Sequence, residues 1–287
     1  MKMDVEKYSV QPGKKIALKN WPTKGKPLYD SKKDFEKRLD EYVEELIELQ
    51  QLHYAATGPA LLLIFQGMDA SGKDGVVKHV MSGINPQGFQ VYSFKQPSEE
   101  ERKHDFLWRT TRCLPERGRI GIFNRSYYEE VLVVKVHPEF LLGQGLTEKQ
   151  DDGTSIWKNR YESIVNFEEH LSRNGTRVVK FFLHLSKDEQ RKQFLERIDD
   201  PAKNWKFNPA DVQERALWDQ YQEAYEDCLS ATSTKNAPWY IIPADDRYNA
   251  RLIVARVVLD LMKSLKLEYP QTTEKRREEL QAIRKLL

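Results

Sequence analysis

The residues best suited to chemistry lie between Gly67 and Gly75, where a glycine is followed five residues later by Gly72-Lys73. This spacing, G-x-x-x-x-G-K, is typical of the phosphate-binding loop of P-loop proteins. Glycines let backbone N–H groups converge on phosphate oxygens, and a helix that begins at Lys73 directs the positive end of its dipole at the anion. The apolar run Ala60–Phe65 before the loop and the apolar-periodic helix after it agree with this interpretation. We therefore predict that Gly67, Gly72, Lys73, Asp74 and Gly75 form the phosphate-binding site.

The residue after the lysine is Asp74, where most P-loops carry the serine or threonine that holds Mg²⁺. Asp69 and Asp74 are the candidate replacements. We expect Asp69 to bind the metal or position the acceptor, because its neighbours hold it beside the phosphates. For Asp74 the helix dipole alone is a sufficient explanation, since it favours a carboxylate in the first turn.

A second polar group, Asn124–Glu130, follows the third apolar run. Ligands of open parallel sheets bind at the carboxyl ends of the strands, so this group should lie near the P-loop, with Arg125 clamping a phosphate. Asn124 stands where ATP-using P-loop proteins carry a metal-assisting aspartate. Glu129 or Glu130 could restore the missing charge, and a solvated helix face explains these two glutamates equally well.

Positive charge is concentrated in residues 102–125, where seven basic residues outnumber two acidic ones for a local net charge of +5. On a helix predicted over 98–114, Arg102, Arg109 and Arg112 share one face. Beside a P-loop, this segment favours a groove for an extended polyanion. The groove residues that we predict are Arg109, Arg112, Arg117, Arg119 and Arg125.

Two further segments carry charge near strand or helix ends. Residues 197–210 are bracketed by prolines and contain Arg197, Lys203 and Lys206, as expected of a lid that closes cations over phosphates, with a rigid turn as the alternative. The segment Asp245-Asp246-Arg247 ends the last apolar run, and contact with a base, with a ribose or with nothing are all open for it.

These motifs must be positioned by alternating strands and helices. Strands are predicted at Ala60–Phe65, Gln90–Phe94, Arg119–Phe123, Val178–Leu185 and Trp239–Pro243. Helices are predicted at about 31–56, 73–84, 98–114, 126–136, 154–173, 187–199, 210–231, 246–265 and 272–287. Such alternation indicates an α/β fold, an open parallel sheet of about five strands flanked by helices, with a helical lid.

A chain of 287 residues can form one large domain or two small ones. Residues 1–30, with seven lysines and three acidic residues, predict an irregular basic arm that is either solvated or draped on the body. Residues 31–287 predict a single domain with its lid at about 197–210, and 143–153 predict a surface loop.

Composition excludes several classes of protein. The net charge of +2 indicates no nucleic-acid partner, and the isolated Cys113 and Cys228 argue against a disulfide scaffold or structural zinc site. The longest apolar run is too short to cross a bilayer, and the first residues lack a hydrophobic signal region. We therefore expect a soluble cytoplasmic protein without a membrane partner.

Together the loop GMDASGKDG, the strand end FNRSYYEE and the segment RIDDPAKNWKFNPAD resemble the polyphosphate kinase 2 family, over about residues 30–265. The resemblance implies a P-loop kinase fold and Mg²⁺-dependent transfer of the terminal phosphoryl group of inorganic polyphosphate to a nucleotide, with Mn²⁺ as a possible substitute. The FNRS sequence is similar to the class III branch, which converts both AMP and ADP to ATP reversibly. The final Asp74 also matches this family's loop. By the same resemblance the family's functional places fall to Asp69, Lys73, Asn124, Arg125, Glu129, Lys203 and Lys206.

The resulting hypothesis is a polyphosphate-dependent nucleotide kinase working by in-line transfer, in which Asp69, Lys73 and Arg125 are catalytic and Asp69 and Glu129 hold the metal. A homo-oligomer, either dimer or tetramer, is expected. Two alternatives remain open: an ATP-dependent nucleoside monophosphate kinase, and a non-catalytic polyanion-binding protein.

Overall fold

The computed structural model describes residues 3–146 and 155–287, and its centre is a five-stranded sheet in the order β2-β3-β1-β4-β5. All four pairings are parallel. The strands are β1 (Ala60–Gln66), β2 (Phe89–Ser93), β3 (Ile120–Asn124), β4 (Thr176–His184) and β5 (Trp239–Pro243). The predicted open parallel sheet of five strands is therefore confirmed.

Helices cover both faces of this sheet. The α-helices are α1 (Lys32–Ala55), α2 (Lys73–Val80), α3 (Glu99–Arg102), α4 (Trp108–Thr111), α5 (Val133–Val136), α6 (Ile156–Arg173), α7 (Lys187–Asp199), α8 (Ala210–Ala216), α9 (Trp218–Thr232), α10 (Arg247–Ser264) and α11 (Glu274–Arg284). Short 3₁₀ helices lie at Glu6–Tyr8, Leu18–Asn20, Pro86–Gly88, Tyr127–Val131, Pro138–Gln144 and Asn204–Lys206. The first long helix begins as its sequence predicts, because the Ser31 hydroxyl accepts a hydrogen bond from the Asp34 amide.

Strand β1 separates two hydrophobic cores, since successive side chains of a strand point to opposite faces. Leu61, Leu63 and Phe65 pack on the side of α1, α2 and α10, whereas Leu62 and Ile64 pack on the side of α6 and α9. All seven residues of β1 are buried. The strand that leads into the phosphate-binding motif is thus the most enclosed element of the sheet.

Three predicted helices are shorter than expected. The helix predicted over 98–114 is two single turns, α3 and α4, because the Asp105 carboxylate accepts from the Leu107 amide and starts a new turn. Residues 126–136 form a 3₁₀ helix followed by α5, and 210–231 form α8 and α9 with a break at Leu217. The face that Arg102, Arg109 and Arg112 were predicted to share therefore does not exist as one helix face.

A buried polar network lies beneath the 3₁₀ helix Tyr127–Val131. The Lys180 ammonium of β4 donates to the Glu168 carboxylate at 2.5 Å, to the Tyr128 hydroxyl at 3.0 Å and to the Thr232 carbonyl at 2.8 Å. The hydroxyls of Tyr127 and Tyr128 both donate to Glu168 at 2.8 Å. Burial lowers the pKa of Lys180. The network joins β4, α6 and α9 to the turn that follows β3.

The N-terminal arm packs against the edge of the sheet. The Val10 amide donates to the Trp239 carbonyl at 2.8 Å, and Ser9 forms an antiparallel bridge with Tyr240. The arm's buried apolar side chains are Val5, Tyr8, Val10, Ile16 and Leu18. Of the two possibilities for this segment, the structure has the draped arm.

The last residues of the arm, 23–29, form hydrogen bonds with the loop after β5. The Thr23 hydroxyl donates to the Asp245 carboxylate at 2.8 Å, and the Tyr29 hydroxyl donates to the Asp246 carboxylate at 2.9 Å. Burial and the hydrogen bond to Asp246 raise the pKa of Tyr29 to about 12. The Asn249 carboxamide oxygen accepts from the Leu28 amide at 2.8 Å. The arm therefore fixes the position of the first turn of α10.

At the other terminus, α11 is exposed along its whole length. The loop predicted at 143–153 lies largely outside the described residues. Within 3–146 and 155–287, no helix is both long and apolar enough to cross a membrane.

Candidate active site

The loop between β1 and α2 has the backbone that its glycines predict. Gly67 has a φ of +155°, and a Cβ there would lie 2.7 Å from the Ser71 hydroxyl and 2.9 Å from the Leu183 carbonyl oxygen. Gly72 has a φ of +89° as the N-cap of α2. Ala70 also adopts the left-handed region, at φ +64°. The loop is therefore tightly curved against the end of β4, and a side chain at position 67 would open it.

Lys73 is buried at the first position of α2. Its ammonium donates to the carbonyl oxygens of Gly67 at 2.6 Å and Met68 at 3.2 Å. Burial, reinforced by the positive charge of Arg125, lowers the pKa of Lys73 to about 8. A phosphate at this loop would stabilise the charged form, so the ammonium is well placed to bind an anion.

Arg125 bridges the two polar groups that the sequence predicted to converge. It has a φ of +64°, and its amide donates to the Phe65 carbonyl of β1 at 3.0 Å. Its guanidinium donates to the Asp69 carboxylate at 2.7 Å and to the Glu129 carboxylate at 3.4 Å. Glu129 raises the pKa of Arg125, so the guanidinium is a permanent cation beside the P-loop.

The two adjacent glutamates have different surroundings. Glu129 faces Arg125, and burial raises its pKa despite the neighbouring positive charges of Arg125 and Lys73. Glu130 is buried the other way, where its carboxylate accepts from Gln144 at 2.9 Å and from Arg160 at 3.3 Å. Only Glu129 therefore belongs with the P-loop.

The carboxylates fit a divalent cation that is shared with a phosphorylated substrate. Among the described residues, no three His, Cys, Asp or Glu side chains come together as a ready-made metal site. Mg²⁺ is commonly bound by one or two carboxylates with substrate phosphates and water as the other ligands. Asp69, which is half-buried beside Arg125, can supply one such carboxylate, with Glu129 on the other side of the same guanidinium.

Asp74 and Asn124, the two departures from the usual P-loop pattern, contact each other. The side-chain Nδ2 of Asn124 donates to the Asp74 carboxylate at 2.6 Å. This contact joins the end of β3 to the first turn of α2. A serine side chain at position 74 is shorter and would not reach Asn124. The hydrogen bond between the two side chains therefore explains both departures together.

Two cavities meet at this site. The first has a volume of about 460 Å³ and is lined in part by Phe94, Leu132, Tyr221 and Tyr225. The second, of about 790 Å³, extends over the P-loop to the lid. Residues that line both cavities are Asp69, Lys95, Gln96, Arg125 and Asp211. The Asp69–Arg125 pair is therefore a common wall of an amphipathic cavity and a polar one.

Residues of the segment 197–210, which the sequence predicts as a lid, line the second cavity. It is lined by Arg197, Lys203, Trp205 and Lys206, together with P-loop residues 69–76. Arg197 at the end of α7 lies 3.7 Å from Asp211, and Lys203 lies 3.0 Å from Asp200. Trp205 is 78% exposed, and the Lys206 ammonium lies over its ring. The segment thus contributes three basic side chains to the cavity that Lys73 also lines.

Arg109 is the predicted groove residue from α4 that reaches the site. It lines the first cavity, and its guanidinium donates to the Lys95 carbonyl at 2.7 Å. Arg112 instead stacks on Trp108 and lies on neither cavity wall. A role for Arg112 in the groove stays a prediction that this placement does not support.

Arg117 and Arg119, two more of the predicted groove residues, also line neither cavity. Both precede β3, whose carboxyl end carries Arg125, so they lie at the amino ends of the strands, opposite the P-loop. There the Gly118 amide donates to the Gly58 carbonyl just before β1, and Arg119 lies over the Tyr54 ring. Local charge along the chain did not distinguish the two ends of a strand.

Several site residues were missed by sequence analysis. The side-chain Nε2 of Gln190 in α7 donates to the Asp69 carbonyl at 2.9 Å and so ties α7 to the P-loop. Lys95, just after β2, lines both cavities. Arg247 and Arg251 of α10 line the second cavity. Of these residues, Arg247 was singled out by the sequence with its ligand left open, whereas Gln190 and Arg251 lie within helices and gave no signal.

Comparison with known proteins agrees with this geometry. Residues 29–270 match the sequence model of the family described as polyphosphate kinase 2. The chain is 59% identical over its full length to an ADP-polyphosphate phosphotransferase of Rhodopseudomonas palustris, of which 99% is covered. It is 41% identical to an AMP/ADP-polyphosphate phosphotransferase of Meiothermus ruber, over 93% of this chain and 96% of the relative.

A solved structure shows the same fold. The crystal structure of polyphosphate kinase 2 from Arthrobacter aurescens aligns with a TM-score of 0.87 at 36% identity, covering 98% of this chain and 96% of that one. The predicted P-loop kinase fold is thereby confirmed. With motifs, fold and near full-length relatives in agreement, this chain belongs to the polyphosphate kinase 2 family.

Proposed function

We propose that the chain transfers the terminal phosphoryl group of inorganic polyphosphate to ADP and to AMP, reversibly, to make ATP. The observation that carries the proposal is the common wall of the two cavities, Asp69 and Arg125. Two phosphorylated substrates that bind on either side of one arginine have their reacting phosphates next to a fixed positive charge. The names of the two relatives, one an ADP-polyphosphate and the other an AMP/ADP-polyphosphate phosphotransferase, support these acceptors.

Polyphosphate is assigned to the second cavity. The P-loop amides, Lys73 and the lid cations Lys203 and Lys206 surround a polar space that suits a chain of phosphates. Lys73 and Arg125 together offset the charge of the terminal phosphate and of the bridging oxygen that leaves with the shortened chain.

The nucleotide is assigned to the first cavity, whose volume of about 460 Å³ lies within the range of small-ligand sites. Phe94, Tyr221 and Tyr225 provide apolar surface for a base, and Arg109 provides positive charge. The acceptor is a phosphate oxygen, which is already ionised near neutral pH. The site therefore has to position and neutralise its substrates rather than remove a proton.

Polyphosphate kinases 2 are phosphotransferases that generally need a divalent metal ion. In this chain Asp69 and Glu129 would hold Mg²⁺, or Mn²⁺ in its place, and the ion would offset the charge of donor and acceptor phosphates. Arg125 orients both carboxylates through its two hydrogen bonds. Gln190 steadies the Asp69 backbone from α7.

The proposal is tested by incubating the protein with Mg²⁺, long-chain polyphosphate and either ADP or AMP, with no ATP present. ATP is the expected product from both acceptors. Absence of ATP from ADP would refute the proposed activity, and product from ADP alone would restrict it to one acceptor.

Variants of the shared wall and the loop connect this activity to the geometry. Lys73→Ala and Arg125→Ala should each lower turnover by about 10³-fold, by analogy with other arginines and lysines that stabilise phosphoryl transfer. Arg177→Ala is the matched control, because Arg177 is an exposed residue at the amino end of β4, away from the carboxyl ends of the strands where the P-loop lies. Near-normal turnover in either site variant would remove that residue from the mechanism.

The two alternatives have less support. An ATP-dependent nucleoside monophosphate kinase would work without polyphosphate, and the names of the relatives do not favour it. A passive polyanion-binding protein would gain nothing from the carboxylates of Asp69 and Glu129 in a phosphate site. A cytoplasmic homo-oligomer, dimer or tetramer, without nucleic acid, completes the proposal, and light scattering of the purified protein measures its oligomeric state.

A further inference from the structure

Two arginines outside the P-loop and the lid line the polar second cavity. Arg247 and Arg251 lie one turn apart on α10, directly after β5. Neither arginine has a role in the transfer step proposed for Lys73 and Arg125. Arg247 is exposed, whereas Arg251 is half-buried against the first turn of α2, 3.5 Å from where a Cβ of Gly75 would be.

Neither guanidinium has an acidic partner among the described residues. No carboxylate oxygen of 3–146 or 155–287 lies within 4.0 Å of either group. By contrast Arg256, further along the same helix, is paired with Asp260 at 2.8 Å. The Nε atom of Arg251 is buried and makes no hydrogen bond within the described chain. A buried donor without an acceptor is unfavourable, so this group has capacity for an acceptor from a ligand.

The nearby carboxylates are occupied elsewhere. Asp245 accepts from the Thr23 hydroxyl and from the Ser186 amide at 2.7 Å. Asp246 accepts from the Tyr29 hydroxyl and caps α10. The N-terminal arm therefore holds both aspartates in place and leaves the arginines facing the cavity.

The electrostatics of the pair are unfavourable without an anion. Arg247 is in the first turn of α10, where the helix dipole disfavours a cation, and like charges four residues apart repel. Burial and the charge of Arg247 lower the pKa of Arg251. A bound phosphate would relieve both effects at once, as an anion at a helix N-terminus is also favourable.

The position of the pair is far from the point of transfer. Arg125 follows β3 and Arg247 follows β5, and three inter-strand steps separate these strands in the sheet. At about 4.8 Å a step this amounts to roughly 14 Å, with the P-loop between them. A polyanion that has its terminal phosphate beside Arg125 would reach the pair only through its later phosphates.

We propose that Arg247 and Arg251 form a distal subsite for inner phosphates of polyphosphate, and that this subsite sets the preference for long chains over tripolyphosphate. The inference rests on the proposed function and deepens it, since it assigns a length-selecting role to residues that do not contact the transferred group.

The test compares Arg247→Gln, Arg251→Gln and the double variant with the wild-type enzyme, at saturating ADP. The kcat/KM is measured for long-chain polyphosphate and, separately, for tripolyphosphate. Each single variant should lower kcat/KM for the long chain about tenfold, the loss expected of one charge-assisted hydrogen bond, and change it less than about threefold for tripolyphosphate. Arg177→Gln, which removes one exposed charge at the far edge of the sheet, should change neither.

An equal loss on both substrates, or no loss on the long chain, would overturn the subsite. Arg247 is exposed, so its variant is expected to fold and keeps the test decisive if Arg251→Gln does not. Calorimetric titration of long-chain polyphosphate without nucleotide separates this inference from the proposed activity. Weaker binding in the variants supports the subsite even if the wild type makes no ATP, and unchanged binding refutes it.

Discussion

Replacing Lys180 by methionine tests whether the buried network under the active-site turn is held by its charges. Lys180 and Glu168 are 0% and 1% exposed, and the ammonium is bound to Glu168, Tyr128 and the Thr232 carbonyl. Methionine has nearly the same length, so Lys180→Met removes the charge with little change in volume. The carboxylate of Glu168 would remain buried with only the two tyrosine hydroxyls as donors.

Breaking a buried ion pair in this way costs about 3–5 kcal/mol of the free energy of unfolding. For a chain of this size that corresponds to a fall in melting temperature of roughly 10 °C. Adding Glu168→Gln should recover at least half of the loss, because the buried charge is gone while the glutamine oxygen still accepts from Tyr127 and Tyr128. The two changes should therefore be strongly non-additive.

Chemical denaturation of the wild type, both single variants and the double variant gives the required cycle of free energies. Because Tyr127 and Tyr128 lie between Arg125 and Glu129, Lys180→Met should also lower kcat while leaving KM for ADP nearly unchanged. A cost below about 1 kcal/mol for Lys180→Met, or simple additivity in the double variant, would refute the argument that an unpaired buried carboxylate dominates.

Three further predictions concern the loop, its lysine and the arm. Burial lowers the pKa of Lys73 to about 8, so its ammonium loses its charge above that pH. The kcat/KM for polyphosphate should therefore fall as the pH rises through 8. A profile that stays flat to pH 10 would contradict this prediction. Gly67→Ala places a Cβ 2.9 Å from a backbone oxygen, so about 1–3 kcal/mol of strain should lower kcat/KM at least tenfold, and unchanged kinetics would show that the loop can yield. Tyr29→Phe keeps the ring but removes the hydrogen bond to Asp246, and denaturation should show a loss of about 1 kcal/mol, with no loss meaning that the arm is held by packing alone.

The parts of the site that sequence predicts correctly are those that follow from strand direction. A buried apolar run followed by glycines and Lys73, and a second run followed by Arg125, must bring their polar ends to one edge of a parallel sheet. The structure places these two side chains around Asp69, as expected. Neither conclusion required knowledge of the loops.

The density of charge along the sequence is a weaker guide. It does not show at which end of a strand a residue lies, or where a predicted helix is interrupted. Arg119 lies only six residues before Arg125, but β3 separates them and carries them to opposite edges. The Asp105 turn that divides 98–114 depends on a local side-chain hydrogen bond that competes with the helix. A lysine within the apolar run Val178–Leu185 does indicate a buried acidic partner, but its identity as Glu168, on the preceding helix, depends on packing.

The wall that both cavities share has a consequence for the direction of catalysis. Asp69 and Arg125 line both cavities, so under the proposed assignment the transferred phosphoryl group meets the same guanidinium whether it comes from the polymer or from the nucleotide. Such a site does not itself favour one direction of transfer over the other. Under the proposed function, net synthesis of ATP or of polyphosphate would then follow the relative concentrations of the two substrates.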